Sequence, residues 1–456
     1  MLSLDFLLIT TSLILIILMY FSVSRYGFFG SISSPAMGFA VIWFFSVSSL
    51  IILGLNDFFV EFEFAKEPLS VLYTFVALTA VFFLFWEFIL KVKQRDNVRI
   101  ILELKNRNLM FMIYLVLLVS LIELLILYMN GEISTSVSQN RSLYLSGKGY
   151  SRYSSPFMKL ISYVYFFKPY VYIFGGFFSF KAMEHRGKSV IVKVVILLFI
   201  ISIIEVITTG GRNGLLKLIL SYLFGFSLGV NLLETRKNIV GFRGVIYLVL
   251  VVVLFIGFIN ENAERRKDLD GVSESTIENY SVGIPSIFGG IVEYMFAHNL
   301  GFALRYDDTY NPTKLTYGVS TFYSFFNLNI PFAELLGLQF KRWDPLDYFN
   351  LESSDKSFYY TTHSVYAHLI VDFGFYGSIV AIFLITGCSQ YLFYLFRNKL
   401  IGGSTVCLYL FFAFIDFWYY SNFYTSFRYP LVSHFIVFIL VYFFLLRKIR
   451  VTSSLF

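Results

Sequence analysis

The stretch 189-SVIVKVVILLFIISIIEVITTGGRNG-214 decides the fold, since a nearly unbroken apolar run ends there in a short turn. A second apolar run, 214–233, begins directly after this turn. A helix needs about 20 apolar residues to cross a hydrocarbon core about 30 Å thick. The stretch therefore predicts two membrane-spanning helices that run in opposite directions and are joined at the membrane surface.

The composition extends this interpretation to the whole chain. Of its 456 residues, 57% are hydrophobic and 14% are charged, whereas a soluble domain carries about 25% charged residues. A chain so poor in charge cannot cover a water-facing surface of this size, and we expect a single all-α membrane domain over 1–456. The net charge of +7 is interpreted as a topology signal and not as a sign of nucleic-acid binding.

Apolar runs of sufficient length predict a polytopic integral membrane protein with about eleven transmembrane helices, within a range of about 10–13. Cys388 and Cys407 lie within such runs without the spacing of metal ligands, and are interpreted as small buried apolar residues. The predicted spans are 4–22, 36–55, 70–90, 109–129, 158–180, 189–208, 214–233, 245–260, 364–390, 401–420 and 431–446.

Basic residues indicate the orientation of these helices. The segments richest in Lys and Arg all fall on one side if the N-terminus lies on the other side (91–108, 181–188, 234–244, 397–399 and 447–450). Cytoplasmic loops of membrane proteins carry this excess. We therefore expect a periplasmic N-terminus and a cytoplasmic C-terminus in the inner membrane of a bacterium.

Two long loops then lie on the periplasmic side, the first at 130–157 and a larger one at 261–363. Long ordered loops are usually functional. Within the larger loop, 284–304 and 317–338 are apolar enough to enter the membrane, but polar residues such as Asn299 interrupt them. We interpret both as interfacial or re-entrant helices packed over the bundle. The alternative, that both cross the membrane, leaves the orientation of the other helices unchanged.

Arginine on the periplasmic side is informative, because topology requires it least there. A guanidinium group binds phosphate oxygens in pairs and stays protonated. Arg212 lies in the short turn, where Gly211 lets backbone amides approach a ligand and the following helix N-terminus favours an anion. This pattern predicts a diphosphate site, with a lipid-headgroup anchor as the alternative. Further substrate-binding candidates on this side are Arg141, Arg152, Arg305 and Arg428.

A histidine at the start of the ninth predicted span is the candidate catalytic base. His363 lies in 358-FYYTTHSVYAHLIVDFGFYGS-378, and histidine, with an unperturbed pKa of about 6.5, can accept a proton from an attacking hydroxyl. Asp372 is a candidate to orient this base, and Glu205, two turns before Arg212, is a candidate to neutralise that arginine. The alternatives are an interfacial histidine bonded to a neighbouring hydroxyl, and acids that relay protons in a transporter. Since the sequence has no motif for ATP, nicotinamide or zinc, neither a metal nor a cofactor is expected.

At these residues the sequence resembles the Wzy-type polymerases of oligosaccharide repeat units, which build bacterial O-antigen and capsule chains. Three segments carry the resemblance, together with the number of spans and a large outer loop before the last helices. They are an outer-loop arginine with tyrosine and glycine (Arg141, Tyr144, Gly147, Gly149), the Gly211-Arg212 turn, and the run Thr362-His363-Ser364 that leads to Asp372-Phe373-Gly374 and Gly377.

The resemblance implies an inverting, metal-independent glycosyltransferase of lipopolysaccharide or capsular polysaccharide biosynthesis. Its donor and its acceptor would both be undecaprenyl-diphosphate-linked glycans at the periplasmic face, with membrane lipid and a chain-length regulator protein as further partners. His363 would deprotonate the acceptor hydroxyl, and Arg212, Arg141 and Arg428 would stabilise the departing diphosphate. The sugars and the linkage are not encoded in any motif of the sequence.

Three other functions remain open at this point, one of which is a transferase that uses a single sugar on a polyprenyl monophosphate. An O-antigen ligase performs the same chemistry on a lipid A core acceptor. A lipid-linked oligosaccharide flippase, or another transporter, is expected to place basic residues inside a central cavity. Few Lys or Arg residues stand inside the predicted spans, Lys193 and Lys217 among them, and this favours the polymerase over the flippase.

Overall fold

The computed structural model is largely helical. It describes residues 3–55, 63–90, 98–131, 133, 161, 164, 167–184, 188–209, 213–233, 299, 302–303, 315, 317, 364–398, 403–415 and 431–453. The helices within this part of the chain are α1 (Leu4–Tyr26), α2 (Phe28–Ser31), α3 (Pro35–Leu55), α4 (Lys66–Ile89), α5 (Asn106–Met129), α6 (Lys168–Glu184), α7 (Lys188–Thr209), α8 (Asn213–Leu233), α9 (Val365–Arg397), α10 (Gly403–Ile415) and α11 (Leu431–Leu445). A 3₁₀ turn, Glu63–Ala65, precedes α4, and the strands are β1 (Val98–Leu104) and β2 (Leu446–Ser453).

The helices confirm that this is a helical membrane protein. Six of the helices described are long and apolar enough to cross a membrane. These are Leu4–Tyr26, Pro35–Ile52, Lys66–Ile89, Asn106–Met129, Ser189–Thr208 and Val365–Arg397. Helices also occupy the predicted spans that became α6, α8, α10 and α11. The predicted span 245–260 lies outside the described residues, and the total of about eleven stays a prediction.

The chain divides into two compact units, the first of which contains α1–α4, α9 and α10. Its apolar core centres on Trp43 of α3, which is fully buried. The Trp43 ring lies 6.0 Å from that of Tyr73 on α4 and 5.7 Å from that of Tyr366 on α9. A hydrogen bond of 2.7 Å joins the hydroxyls of Tyr366 and Thr79. Aromatic packing and paired hydroxyls therefore fix α9 against α3 and α4.

α9 is two helical segments that meet at Gly374. The backbone there has φ +69° and ψ 179°, a conformation that glycine adopts far more readily than other residues. Every residue from Val365 to Asp372 is buried. Helical residues that are buried on all sides belong to a protein interior, so the segment before the kink is a buried arm (residues 365–373).

Beyond the kink, α9 presents one side outward. Val380, Leu384 and Tyr391 are 50–59% exposed, and Cys388 is also exposed. The expected burial of Cys388 was therefore wrong. Residues three and four apart share a helix face, and in a membrane such a face contacts lipid chains, which solvate apolar side chains without the penalty of water.

Part of the large loop also lies in the first unit. Asn299 is 1% exposed, and its Nδ2 donates a 2.9 Å hydrogen bond to Ser46 Oγ. Phe302 and Ala303 belong to the same apolar core as α1, α3, α4 and α9. The polar interruption noted in 284–304 is thus a residue whose side chain is satisfied inside the unit. The role of 284–304 and 317–338 as interfacial helices stays a prediction.

The second unit contains α5–α8 and both strands. Glycines bring α6 and α8 close together: a Cβ atom on Gly176 would meet the carbonyl oxygen of Tyr222, and one on Gly225 would meet that of Ile173. One turn after Gly225, a Cβ on Gly229 would lie 2.8 Å from the Phe180 ring. Small residues at this spacing let membrane helices approach closely.

The described residues also form a two-stranded ribbon that was not predicted, and the fold remains helical. β1 and β2 pair antiparallel from Val98 opposite Ser453 to Leu104 opposite Leu446. These segments were predicted only to be basic. In 98-VRIILEL-104 only Arg99 and Glu103 are charged, and its Val and Ile residues favour a strand. The ribbon joins directly to α11 and, through Lys105, to the start of α5. The single-domain prediction for 1–456 is not tested by this division into units.

Candidate functional site

Charged side chains gather where three helices of the second unit end. Lys168 is the first residue of α6, Glu205 lies close to the end of α7, and Lys217 lies close to the start of α8. Lys168 Nζ is 3.4 Å from Glu205 Oε2, and Lys217 Nζ is 3.5 Å from Glu205 Oε1. One carboxylate therefore holds two ammonium groups, one on each oxygen.

A second acid completes this group. Glu123, near the end of α5, is 1% exposed and close enough to Lys168 to interact with it electrostatically. Two lysines and two glutamates sum to zero charge, as buried charges generally require. We call these four residues the helix-end cluster. Its least buried member is Lys217, whose side chain is 36% exposed against 4% for Lys168, so the cluster is open on the α8 side.

Hydroxyl groups lie one helical turn from the cluster residues. Tyr172 follows Lys168 by four residues on α6, and Ser202 precedes Glu205 by three on α7. Both side chains are fully buried, and neither hydroxyl has a hydrogen-bond partner in the described part of the chain. Buried polar groups normally have partners. The site therefore offers hydrogen-bond donors that the described residues leave unused.

The predicted Gly-Gly-Arg turn adjoins this cluster in the chain. α7 ends at Thr209 and α8 begins at Asn213, close to the predicted ends at 208 and 214. Glu205 and Lys217 stand four residues from these two helix ends. The turn between them, with Gly211 and Arg212, lies outside the described residues.

Most of the predicted site residues also lie outside the described part of the chain. The structure therefore does not test their roles, which stay predictions. They are the catalytic candidate His363 and the substrate-binding candidates Arg141, Arg152, Gly211, Arg212, Arg305 and Arg428.

Asp372 belongs to the buried arm of α9. It is fully buried and lies four residues after His368, which is 1% exposed, so the two share a helix face. The Asp372 carbonyl oxygen accepts a 3.1 Å hydrogen bond from the backbone N–H of Tyr317 in the large loop. The arm begins at Val365, directly after the predicted motif Thr362-His363-Ser364. Asp372 as a residue that orients His363 stays a prediction.

Glu205 has partners that the sequence analysis did not foresee. It was expected to neutralise Arg212, whereas among the described residues its carboxylate forms ion pairs with Lys168 and Lys217. Lys168 was overlooked although it stands in the predicted span 158–180. The available signal was a lysine inside one span together with the acids Glu123 and Glu205 inside two others.

A second charged group, in the first unit, was also missed. Arg25 Nη1 lies 2.9 Å from Glu87 Oε2, and the Tyr26 hydroxyl donates to the same oxygen at 2.5 Å. Gln390 of α9 donates to the other carboxylate oxygen, and the Arg397 guanidinium lies 5.1 Å from the centre of the Tyr26 ring. We call these five residues the Glu87 cluster. It joins the C-terminal ends of α1, α4 and α9.

The fold and the helix-end cluster define a class, a helical membrane protein with paired charges buried among its helix ends. Within the residues that the structure describes, no group of three or more His, Cys, Asp or Glu could hold a metal ion. No family model matches the chain, and no curated protein and no solved structure is similar to it.

Proposed function

We propose that the protein is a membrane-embedded glycosyltransferase that polymerises undecaprenyl-diphosphate-linked oligosaccharide repeat units into O-antigen or capsular polysaccharide. The sequence resemblance to Wzy-type polymerases motivates this proposal. The observation that carries it further is the helix-end cluster, because Lys168 and Lys217 both bind Glu205, four residues before the end of the helix that leads into the Gly-Gly-Arg turn.

The proposed reaction is a displacement at the anomeric carbon of the donor glycan. A sugar hydroxyl of the acceptor attacks this carbon and forms the new glycosidic bond while the bond to the diphosphate oxygen breaks. His363 takes the hydroxyl proton, and undecaprenyl diphosphate leaves with the bonding electron pair. Attack opposite the leaving group inverts the anomeric configuration. Arg212, with Arg141 and Arg428, stabilises the charge on the leaving group.

The orientation in the membrane is part of the same proposal. The Glu87 cluster brings the C-terminal ends of α1, α4 and α9 to one end of the first unit. The ribbon, in turn, brings the end of α11 next to the start of α5 in the second unit. These are the ends that the excess of basic residues assigns to the cytoplasm. Both contacts support a periplasmic N-terminus, and under this proposal the helix-end cluster lies on the periplasmic side.

A flippase for lipid-linked oligosaccharides is the second candidate. The buried Lys168 favours it, because the sequence argument against transport was that few basic residues stand inside the spans. Two observations nevertheless support the polymerase. Both cluster lysines lie at helix ends, and Lys193, inside α7, packs 5.5 Å from the centre of the Tyr114 ring.

Deletion of the gene in the native host tests the proposal. A polymerase predicts loss of the ladder of long chains on gels, with single repeat units still carried by lipid A core and lipid-linked units accumulating on the periplasmic face. A ligase predicts surface lipid A core without any repeat unit. Lipid-linked units trapped on the cytoplasmic face would show that the protein is a flippase and not a polymerase.

A further inference from the structure

We propose that the helix-end cluster is a diphosphate-binding site in which Glu205 acts as a resident counter-ion that the ligand displaces. The inference rests on the proposed function for the identity of the natural ligand, a polyprenyl diphosphate. The binding chemistry itself rests on the geometry of Lys168, Glu205 and Lys217.

The arrangement of charge in the helix-end cluster suits a phosphate group. Two ammonium groups repel each other, and here one carboxylate holds both, with one on each oxygen at 3.4 and 3.5 Å. A phosphate group also offers oxygens to two donors on the same side. A bound phosphate can therefore take the place of the carboxylate and meet both lysines.

Two buried hydroxyls beside the cluster also suit a ligand that accepts hydrogen bonds. Tyr172 lies one turn beyond Lys168 on the same helix face, and the Glu205 charge acts on its phenol. The phenol is buried without a hydrogen-bond partner in the described residues, as is the hydroxyl of Ser202. An apolar ligand would leave both hydroxyls without a partner, which buried polar groups normally avoid. Phosphate oxygens are acceptors, and so they suit this site.

The cluster is accessible from the side of Lys217. Lys168 is buried, but the Lys217 side chain is 36% exposed. Lys217 stands near the start of α8, immediately after the turn that carries Arg212. A diphosphate that enters from the exposed side of the cluster therefore meets Lys217 before Lys168. The exchange keeps the lysines neutralised before and after binding, because an anion is present in either state.

The experiment measures binding of inorganic pyrophosphate to the purified full-length protein in lipid nanodiscs, by isothermal titration calorimetry. Lys217→Met should weaken binding about tenfold to a hundredfold, the usual worth of a hydrogen bond between charged groups. Lys193→Met is the matched control, since it removes a lysine from α7 outside the cluster, and it should leave binding unchanged. Equal weakening of pyrophosphate binding by both variants would overturn the proposal, because the loss of one positive charge anywhere in the protein would then explain the result.

Two further variants separate this site from a structural ion pair. Glu205→Gln removes the competing charge with little change of shape, and it should tighten pyrophosphate binding. Tyr172→Phe should weaken binding while the thermal unfolding temperature stays the same, because its hydroxyl bonds to no described residue. Weaker binding in Glu205→Gln, or unchanged binding in Tyr172→Phe, would contradict the displacement mechanism.

The source of the diphosphate is resolved by a second titration, with undecaprenyl diphosphate incorporated in the nanodiscs. Competition between this lipid and pyrophosphate is expected, and its absence would restrict the site to a free anion. Pyrophosphate binding without any polymer from lipid-linked repeat units would retain the site and refute the polymerase. Polymer formation without pyrophosphate binding would refute the diphosphate site and retain the polymerase.

Discussion

Arg25 and Glu87 form a buried ion pair between the C-terminal ends of α1 and α4, with Nη1 and Oε2 2.9 Å apart. The Glu87 side chain is completely buried, whereas that of Arg25 is 20% exposed. Removal of one partner of a buried pair leaves an uncompensated charge, at a cost of about 3–5 kcal/mol. Glu87→Ala should therefore lower the thermal unfolding temperature strongly, as measured by tryptophan fluorescence.

The exposed pair of Glu63 and Lys66, 3.8 Å apart, provides the control. Surface pairs contribute at most about 1 kcal/mol, so Glu63→Ala should leave the unfolding temperature nearly unchanged. A similar loss in both variants would mean that the Glu87 cluster is no more important than a surface contact.

The close approach of α6 and α8 predicts a strong effect of added volume. Gly225→Val puts a side chain where the Ile173 carbonyl lies, so the helices must separate, and overpacking costs about 1–3 kcal/mol or more. We expect a lower unfolding temperature and less protein in the membrane. Val192→Leu adds volume on α7 at a side chain that is 56% exposed, and it should have no effect. Normal stability of Gly225→Val would contradict the glycine contact.

The kink at Gly374 predicts a loss of activity without a matching loss of stability. Gly374→Ala strains a backbone with φ +69° and ψ 179°, at about 1–3 kcal/mol, and turns the buried arm that precedes it. Gly27→Ala is the matched control, since Gly27 has φ +72° and open space around it. Both variants should unfold at similar temperatures, but only Gly374→Ala should shorten the polysaccharide chains. If both variants made polysaccharide chains of the same length, the buried arm would have no role in catalysis.

The bounds of α7 and α8 agree closely with the predicted spans. Two strong signals coincide in this part of the sequence, a long apolar run and a turn too short to leave the membrane surface. The Gly374 kink was not foreseen, since glycine is frequent in membrane helices and sequence does not specify φ. The contact between Lys168 and Glu205 spans 37 residues. Their charges could be read from the sequence, but their pairing depends on how three helices pack. Arg212 and His363 came from sequence alone, and they stay predictions.

Arg212 is predicted to bind the diphosphate. Arg212→Ala should abolish long chains, because the loss of one preorganised donor lowers a rate by about 10²–10³. Arg212→Lys should restore only part of the activity, since lysine cannot bind two oxygens in parallel. Chain length on gels, normalised to the amount of protein in the membrane, is the measurement. Full activity of Arg212→Ala would reduce Arg212 to a headgroup anchor.

His363 is predicted to be the general base. His363→Ala should lower polymer formation by about 10²–10⁴, the usual contribution of such a base, while lipid-linked single units still reach the periplasmic face. His185→Ala, in a predicted cytoplasmic loop, is the control. Because only neutral imidazole accepts a proton, activity of the native protein should fall as the pH drops below about 6. A profile that stays flat down to pH about 5 would exclude this role.

The ribbon of β1 and β2 has a consequence for the order of assembly during synthesis. β1 emerges from the ribosome before α5, but its hydrogen-bond partner is translated only after α11. Such a contact between distant parts of the chain is slow to form. Throughout the insertion of α5–α11, β1 therefore has one strand edge without its partner, which is a surface prone to pairing with other chains. The ribbon is completed only when β2 arrives, so its pairing follows the insertion of α5–α11 and is sensitive to C-terminal truncation.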